Sequence, residues 1–139
     1  MNAQQLDAAL INLVRKRIEL SALSYDNDQY DTLEEELHGL EDAFVDKYGT
    51  YLEGILEAVH EKHCPETDVL LPTAYLAKKY TENGLNSDGT PAFAVTPDEG
   101  VWVDADAYPG KEARLVLVPS PARLLLLVGA KHEEEVWRA

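Results

Sequence analysis

The sequence predicts an α+β fold: an N-terminal antiparallel helical hairpin and a short third helix, packed on a C-terminal four-stranded antiparallel β-meander. Apolar residues recur at spacings of three and four through residues 1–64, which is the period of an amphipathic helix. From Pro91 onward the period becomes two, and turn residues separate short apolar runs, as in antiparallel strands. The length of 139 residues is typical of one domain. We expect its parts to be the hairpin (1–64), the short helix and a connection (65–90), the meander (91–129) and a tail or edge strand (130–139).

The two hairpin helices follow from their apolar stripes and their ends. The first stripe predicts a helix over residues 4–25, followed by a turn rich in Asp and Asn. Asp31 and Glu34 have the spacing of a capping box, which predicts the start of a second helix that ends near His63. The second helix is the longer one, so its end must pack against the C-terminal half of the chain.

The remaining elements follow from turn residues. Pro72 suits a first helical turn and Asn83-Gly84 a helix end, which predicts the short third helix from Pro72 to about Glu82. Four strands are predicted, over residues 92–96, 101–105, 113–118 and 122–128.

The last two predicted strands are apolar on both faces, and such strands are normally covered on both sides. One helical layer covers one face. We therefore expect a second copy of the chain on the other face, in a two-fold homodimer.

The charge excludes several partner classes. The chain has 26 acidic residues against 12 lysines and arginines, a formal net charge of −14. Because phosphate binding requires Lys and Arg, we expect neither nucleic acid nor an anionic membrane as a partner.

There is no apolar run of about 18 residues to span a bilayer. The N-terminal residues have no signal-peptide pattern and Cys64 is the only cysteine, so we expect a cytoplasmic location.

One metal candidate lies at the end of the second helix. Glu57, His60 and Cys64 are three and four residues apart, so they share one helical face, and together they could bind zinc or iron. We expect this face to point away from the apolar stripe, toward solvent. The preferred interpretation is a polar helix end, where protonated histidines interact favourably with the helix dipole. We therefore expect no bound metal and no other cofactor.

Trp102 and Tyr108 are the candidates for lining a small-ligand pocket, although packing on a sheet face is the commoner role of such residues. No nucleophile elbow, phosphate loop or dinucleotide fingerprint is present. The sequence therefore predicts a non-catalytic protein-interaction or adaptor protein that binds its partner through helical or sheet surfaces. The alternative is a small-ligand or metal-binding protein, with or without enzymatic activity, whose site lies near the end of the second helix.

Overall fold

The chain folds as α+β, with two helices and two antiparallel sheets. The computed structural model describes residues 1–139. In chain order the elements are α1 (Ala3–Ser21), α2 (Tyr30–His63), a 3-10 turn (Pro72–Tyr75), β1 (Thr81–Leu85), β2 (Pro91–Ala94), β3 (Val101–Val103), β4 (Ala113–Val118), β5 (Arg123–Val128) and β6 (His132–Arg138). No helix combines the length and the apolar character needed to cross a bilayer.

The helical hairpin is close to the predicted one, with shifted ends. Asn2 caps α1 by accepting a hydrogen bond from the backbone N–H of Gln5 at 3.1 Å, which satisfies one free amide of the first turn. The second helix begins at Tyr30, so Asp31 lies inside the first turn and is not the predicted N-cap. Arg17 joins the two helices through an ion pair with Glu41 at 3.0 Å.

The far half of α2 packs against the C-terminal half of the chain, as its length predicted. With 34 residues, α2 extends well beyond the 19 residues of α1. Its Leu52 and Leu56 line a closed apolar contact with the 3-10 turn and with Leu117 of β4 and Leu124 of β5. This contact places the C-terminal end of α2 beside the turn and the sheet.

The larger sheet has the strand order β3-β4-β5-β6, and every pair is antiparallel. Leu117 pairs with Leu124 and Val116 with Leu125, so these two pairs point to opposite faces of the sheet. All four side chains are buried within the single chain. Since one chain covers both faces of β4 and β5, this sheet gives no reason for a second copy.

The predicted third helix is wrong. Only Pro72–Tyr75 is helical, as one 3-10 turn. The chain then runs extended because Leu76 forms a parallel bridge with Leu117, and the Tyr80 hydroxyl donates a hydrogen bond to the Leu117 carbonyl at 2.6 Å. The residues predicted to end the helix instead form β1.

The strand boundaries also differ from the prediction. The first predicted strand corresponds to β2, which pairs with β1 in a separate two-stranded sheet rather than in the meander. The fourth strand of the meander is β6, so the segment 130–139 contains an edge strand. Its charged sequence, HEEEVWR, obscures the strand, because Trp137 and the half-buried Val136 are its only large apolar residues.

The turn between β4 and β5 ties three parts of the chain together at Ser120. The Asp7 carboxylate of α1 accepts a hydrogen bond from the Ser120 backbone N–H at 2.8 Å. The Asn86 side chain donates to the Ser120 carbonyl at 3.1 Å, and the Ser120 hydroxyl donates to the carbonyl of Pro91. Helix α1, the β1-β2 hairpin and the larger sheet therefore meet at one residue.

Candidate functional site

His60 lies near the C-terminal end of α2 and is buried, with 3% of its surface exposed. Both ring nitrogens have partners: Nδ1 lies 2.9 Å from the carbonyl oxygen of Thr67, and Nε2 lies 2.8 Å from the hydroxyl of Tyr75. The Tyr75 hydroxyl also accepts the backbone N–H of Leu70 at 3.1 Å. These groups form a buried chain of hydrogen bonds that runs from the helix to the segment after it.

The hydrogen positions in this chain follow from its partners. A carbonyl oxygen can only accept, so Nδ1 of His60 carries the proton and donates it to Thr67. The Tyr75 hydroxyl accepts from Leu70 and donates to the unprotonated Nε2. A neutral imidazole therefore satisfies each group once, as buried polar groups require.

The same chain of hydrogen bonds fixes the segment that follows α2. Cys64 donates its backbone N–H to the His60 carbonyl at 2.8 Å, and Thr67 donates its own to the Cys64 carbonyl at 3.1 Å. The Thr67 hydroxyl accepts the backbone N–H of Asp104 at 2.9 Å, which joins the segment to the chain after β3. Residues 64–70 are thus held at several points by buried or half-buried groups.

The last two residues of this segment, and the residue that follows it, carry three consecutive exposed apolar side chains. Val69, Leu70 and Leu71 are exposed to 37%, 46% and 67%, and we call these three residues the apolar loop. Together with Glu53 and Glu57 of α2 they line a cleft of about 400 Å³. The site is therefore an apolar surface bounded on the helix side by two carboxylates.

The predicted solvent orientation of the metal candidates is wrong for two of the three. His60 and Cys64 are buried, because the far half of α2 packs against the 3-10 turn and the sheet. Burial raises the pKa of the Cys64 thiol to about 11, and the carboxylates of Asp106 and Asp104 add to this effect. Glu57 alone is exposed, in the wall of the cleft.

Glu57, His60 and Cys64 do not converge on one point. Both ring nitrogens of His60 have hydrogen-bond partners, and the Cys64 thiol is buried with a raised pKa. Nowhere in the chain do three His, Cys, Asp or Glu side chains converge on a site that could hold a metal ion.

The two aromatic candidates lie apart. Trp102, exposed to 56%, is on β3 at one edge of the sheet, where it pairs with Arg114 of β4. The hydroxyl of Tyr108 lies 2.9 Å from Nε2 of His132, on β6 at the opposite edge. They do not form a common pocket.

Sequence reasoning missed Tyr75, Thr67 and the apolar loop. The apolar run Val69-Leu70-Leu71 directly before Pro72 was a visible signal, but nothing in its pattern distinguishes exposed from buried leucines. No protein-family model, no curated protein and no solved structure matches this chain.

Proposed function

We propose that this chain is a non-catalytic interaction protein that binds another protein through the apolar loop. The observation that supports this is the exposure of three consecutive apolar side chains on a segment that a buried hydrogen-bond chain holds in place. Single exposed leucines are ordinary on protein surfaces, but a contiguous apolar patch indicates a binding surface.

The apolar loop is held in place, and this makes a binding role a better explanation for its exposed side chains than simple tolerance of apolar residues at the surface. Ordering a flexible segment on binding costs conformational entropy, and a segment that is already fixed avoids most of that cost. Here Leu70 is held through its backbone N–H by Tyr75, so its side chain is presented without any rearrangement. On this proposal, the buried His60 and Tyr75 serve to hold the apolar loop in place, and neither residue needs to bind a ligand.

The chemistry of the cleft indicates the kind of partner. Glu53 and Glu57 lie beside the apolar side chains, and the whole chain has a formal charge of −14. A partner segment with apolar anchors flanked by lysine or arginine would match both features, because opposite charges steer association and exclude wrong partners. The same charge disfavours nucleic acid and anionic membranes, so the proposed partner is a protein.

A second copy of the chain is not the proposed partner. The dimer was expected because the sheet needed a cover, and the single chain supplies that cover. In a two-fold contact through the apolar loop, Glu53 and Glu57 would also approach the Glu53 and Glu57 of the second chain, and these like charges would repel.

The proposal can be tested by site-specific photo-crosslinking in cell extract, followed by binding measurements on purified proteins. A photoreactive residue replaces Leu71 in one variant and Leu85 in the matched control, which is exposed to a similar extent, 72% against 67%. We expect Leu71 to cross-link to a discrete protein and Leu85 not to do so. The purified partner should then bind at least about tenfold more weakly to Leu70→Asp, at unchanged melting temperature.

Equal cross-linking at the two positions would indicate non-specific apolar contact. Absence of any cross-link at Leu71, or an unchanged affinity of Leu70→Asp, would also contradict the proposal.

A further inference from the structure

The outer edge of β6 is a long strand edge without a neighbour. In the order β3-β4-β5-β6 it pairs only with β5, through six of its seven residues, with a register shift at Val136. The opposite edge is less open: β3 has only three residues, and beyond it Leu76 bridges Leu117 of β4. The sheet therefore has one extended free edge.

The hydrogen-bond alternation identifies which backbone groups on β6 are free. Gly129 donates its N–H to the carbonyl of Glu112, on the β4 side. Along an antiparallel strand successive residues bond to alternate sides, so odd-numbered residues of β5 bond to β4 and even-numbered ones bond to β6. Leu127 and Leu125 thus turn their backbone groups away from β6. Their partners Glu133 and Glu135 must direct their own N–H and C=O groups outward, away from the sheet.

Charge controls what can pair with this edge. Glu133, Glu134 and Glu135 are consecutive, so both faces of the strand present carboxylates. Glu135 is neutralised locally by Arg138 at 2.8 Å, whereas Glu133 has no ion pair. Like charges opposite each other destabilise strand pairing, and charged edges are a known protection against self-association. A second copy paired through the middle of β6 would place glutamates against glutamates.

A basic strand meets no such obstacle. Glu133 pairs with Leu127 in register, and residues two apart share a face, so an added strand with alternate lysines would bring one lysine beside Glu133. Its intervening side chains would lie on the other face of the sheet, which is the face of Trp137, because a register shift at Val136 places Trp137 opposite Leu124. The Trp137 ring packs 6.4 Å from the ring of Tyr51 on α2. That face offers apolar contact beside the free edge.

We propose that the outer edge of β6 accepts an extended, lysine- or arginine-rich segment of another protein as an additional antiparallel strand. Main-chain hydrogen bonds to Glu133 and Glu135 provide the binding, and the carboxylates select a basic sequence, as in other strand-addition complexes. This site is separate from the apolar loop and goes beyond the function proposed for it.

The test uses the full chain and a short fluorescent peptide in which lysine alternates with valine. We expect saturable binding by fluorescence anisotropy that weakens with added salt, and about tenfold or greater weakening when lysine is replaced by glutamate. A second peptide carries N-methyl groups on alternate residues, at the backbone nitrogens that would face β6. It keeps its charge but loses these N–H donors, so it should also bind about tenfold more weakly.

Two protein variants complete the test. Glu133→Pro removes an outward N–H that β5 does not use, and should weaken binding more than Glu133→Gln, which removes only the charge. The melting temperature of each variant reports whether it folds, and the N-methylated peptide gives the answer without any change to the protein. Leu70→Asp should leave this binding unchanged, which separates this proposal from the apolar loop.

Three results would overturn the inference. The first is absence of binding by the lysine peptide. The second is equal binding of the N-methylated peptide, which would mean a purely electrostatic contact. The third is a molar mass by light scattering of twice 15.5 kDa that falls to 15.5 kDa in Glu133→Pro. That result would mean that a second copy of the chain pairs with the β6 edge.

Discussion

Replacing Tyr75 by Phe tests whether the buried hydrogen-bond chain holds the apolar loop. The substitution keeps the ring and removes one hydroxyl, which leaves Nε2 of His60 and the N–H of Leu70 without partners. His60 is buried, so water does not readily replace the lost donor. Leaving buried polar groups unsatisfied costs about 1–3 kcal/mol. For a chain of 139 residues, 2 kcal/mol corresponds to a fall in melting temperature of roughly 7 °C.

A double-mutant cycle with His60→Leu isolates the contact. His60→Leu alone leaves the Tyr75 hydroxyl without its acceptor and the Thr67 carbonyl without its donor, so it should also be destabilising. The double variant removes both members of the central hydrogen bond together, and should be more stable than the sum of the single effects predicts, by about 1 kcal/mol or more. Urea unfolding at constant m-value gives each free energy.

The matched control is Tyr80→Phe combined with His60→Leu. Tyr80 is another buried tyrosine, and its hydroxyl bonds to Ala77 and Leu117, so it shares no partner with His60. That pair should be additive. Additive effects for Tyr75→Phe and His60→Leu, or an unchanged amide exchange rate at Leu70 in Tyr75→Phe, would refute the assigned role of the chain.

Four further expectations follow from the structure. Gly100→Ala would place a Cβ against the backbone carbonyl oxygen of Leu115 at φ +93°, so it should destabilise the fold by about 2 kcal/mol or more. By contrast, the Cβ added by Gly39→Ala meets nothing within 4 Å, and this substitution in a helix should stabilise the fold by up to about 1 kcal/mol; thermal unfolding measures both effects. Cys64 should react with a disulfide reagent at pH 8 only as fast as the chain unfolds, since its thiol is buried and its pKa is about 11; rapid reaction in the native state would contradict this. The Arg15 guanidinium holds the pKa of Glu82 below its ordinary value of 4.5, so this pair stabilises the fold above that pH and the effect is lost as pH falls through the folded pKa; Glu82→Gln should flatten this part of the acid unfolding curve, and an identical curve would count against it. The melting temperature of the wild-type chain should not move on addition of zinc or chelator, and stoichiometric metal in the purified protein would overturn this expectation.

The helices were predictable because their signal is local. Spacings of three and four and the polar turn between the helices lie within the sequence of the hairpin itself. The failed third helix had local signals too, in Pro72 and Asn83-Gly84. They were overridden by pairing with Leu117, which lies 41 residues beyond Leu76 along the chain. Tertiary hydrogen bonds of that kind outweigh intrinsic propensity.

The candidate site was harder to predict, because its key contacts are also non-local. A histidine near a helix end reads as solvent-exposed from its neighbours alone. Its burial depends on Tyr75, which belongs to a segment whose conformation was itself predicted wrongly. The exposure of Leu71 depends on the same segment. The sequence singled out the C-terminal end of α2 for an alternative site, and the fold decided which side chains face outward there.

The junction at Ser120 has a consequence for how the chain is made. Asp7 and its partner Ser120 are separated by 113 residues, so at roughly 5–20 residues per second a ribosome takes about 6–23 s to synthesise the stretch between them. The helical hairpin is complete long before then, while Leu52 and Leu56 still lack the strands that cover them. During that interval the nascent hairpin exposes an apolar stripe that the finished protein hides. Slower elongation through the strand region would prolong its exposure, and chaperones that bind apolar segments would meet this protein at that stage of its synthesis.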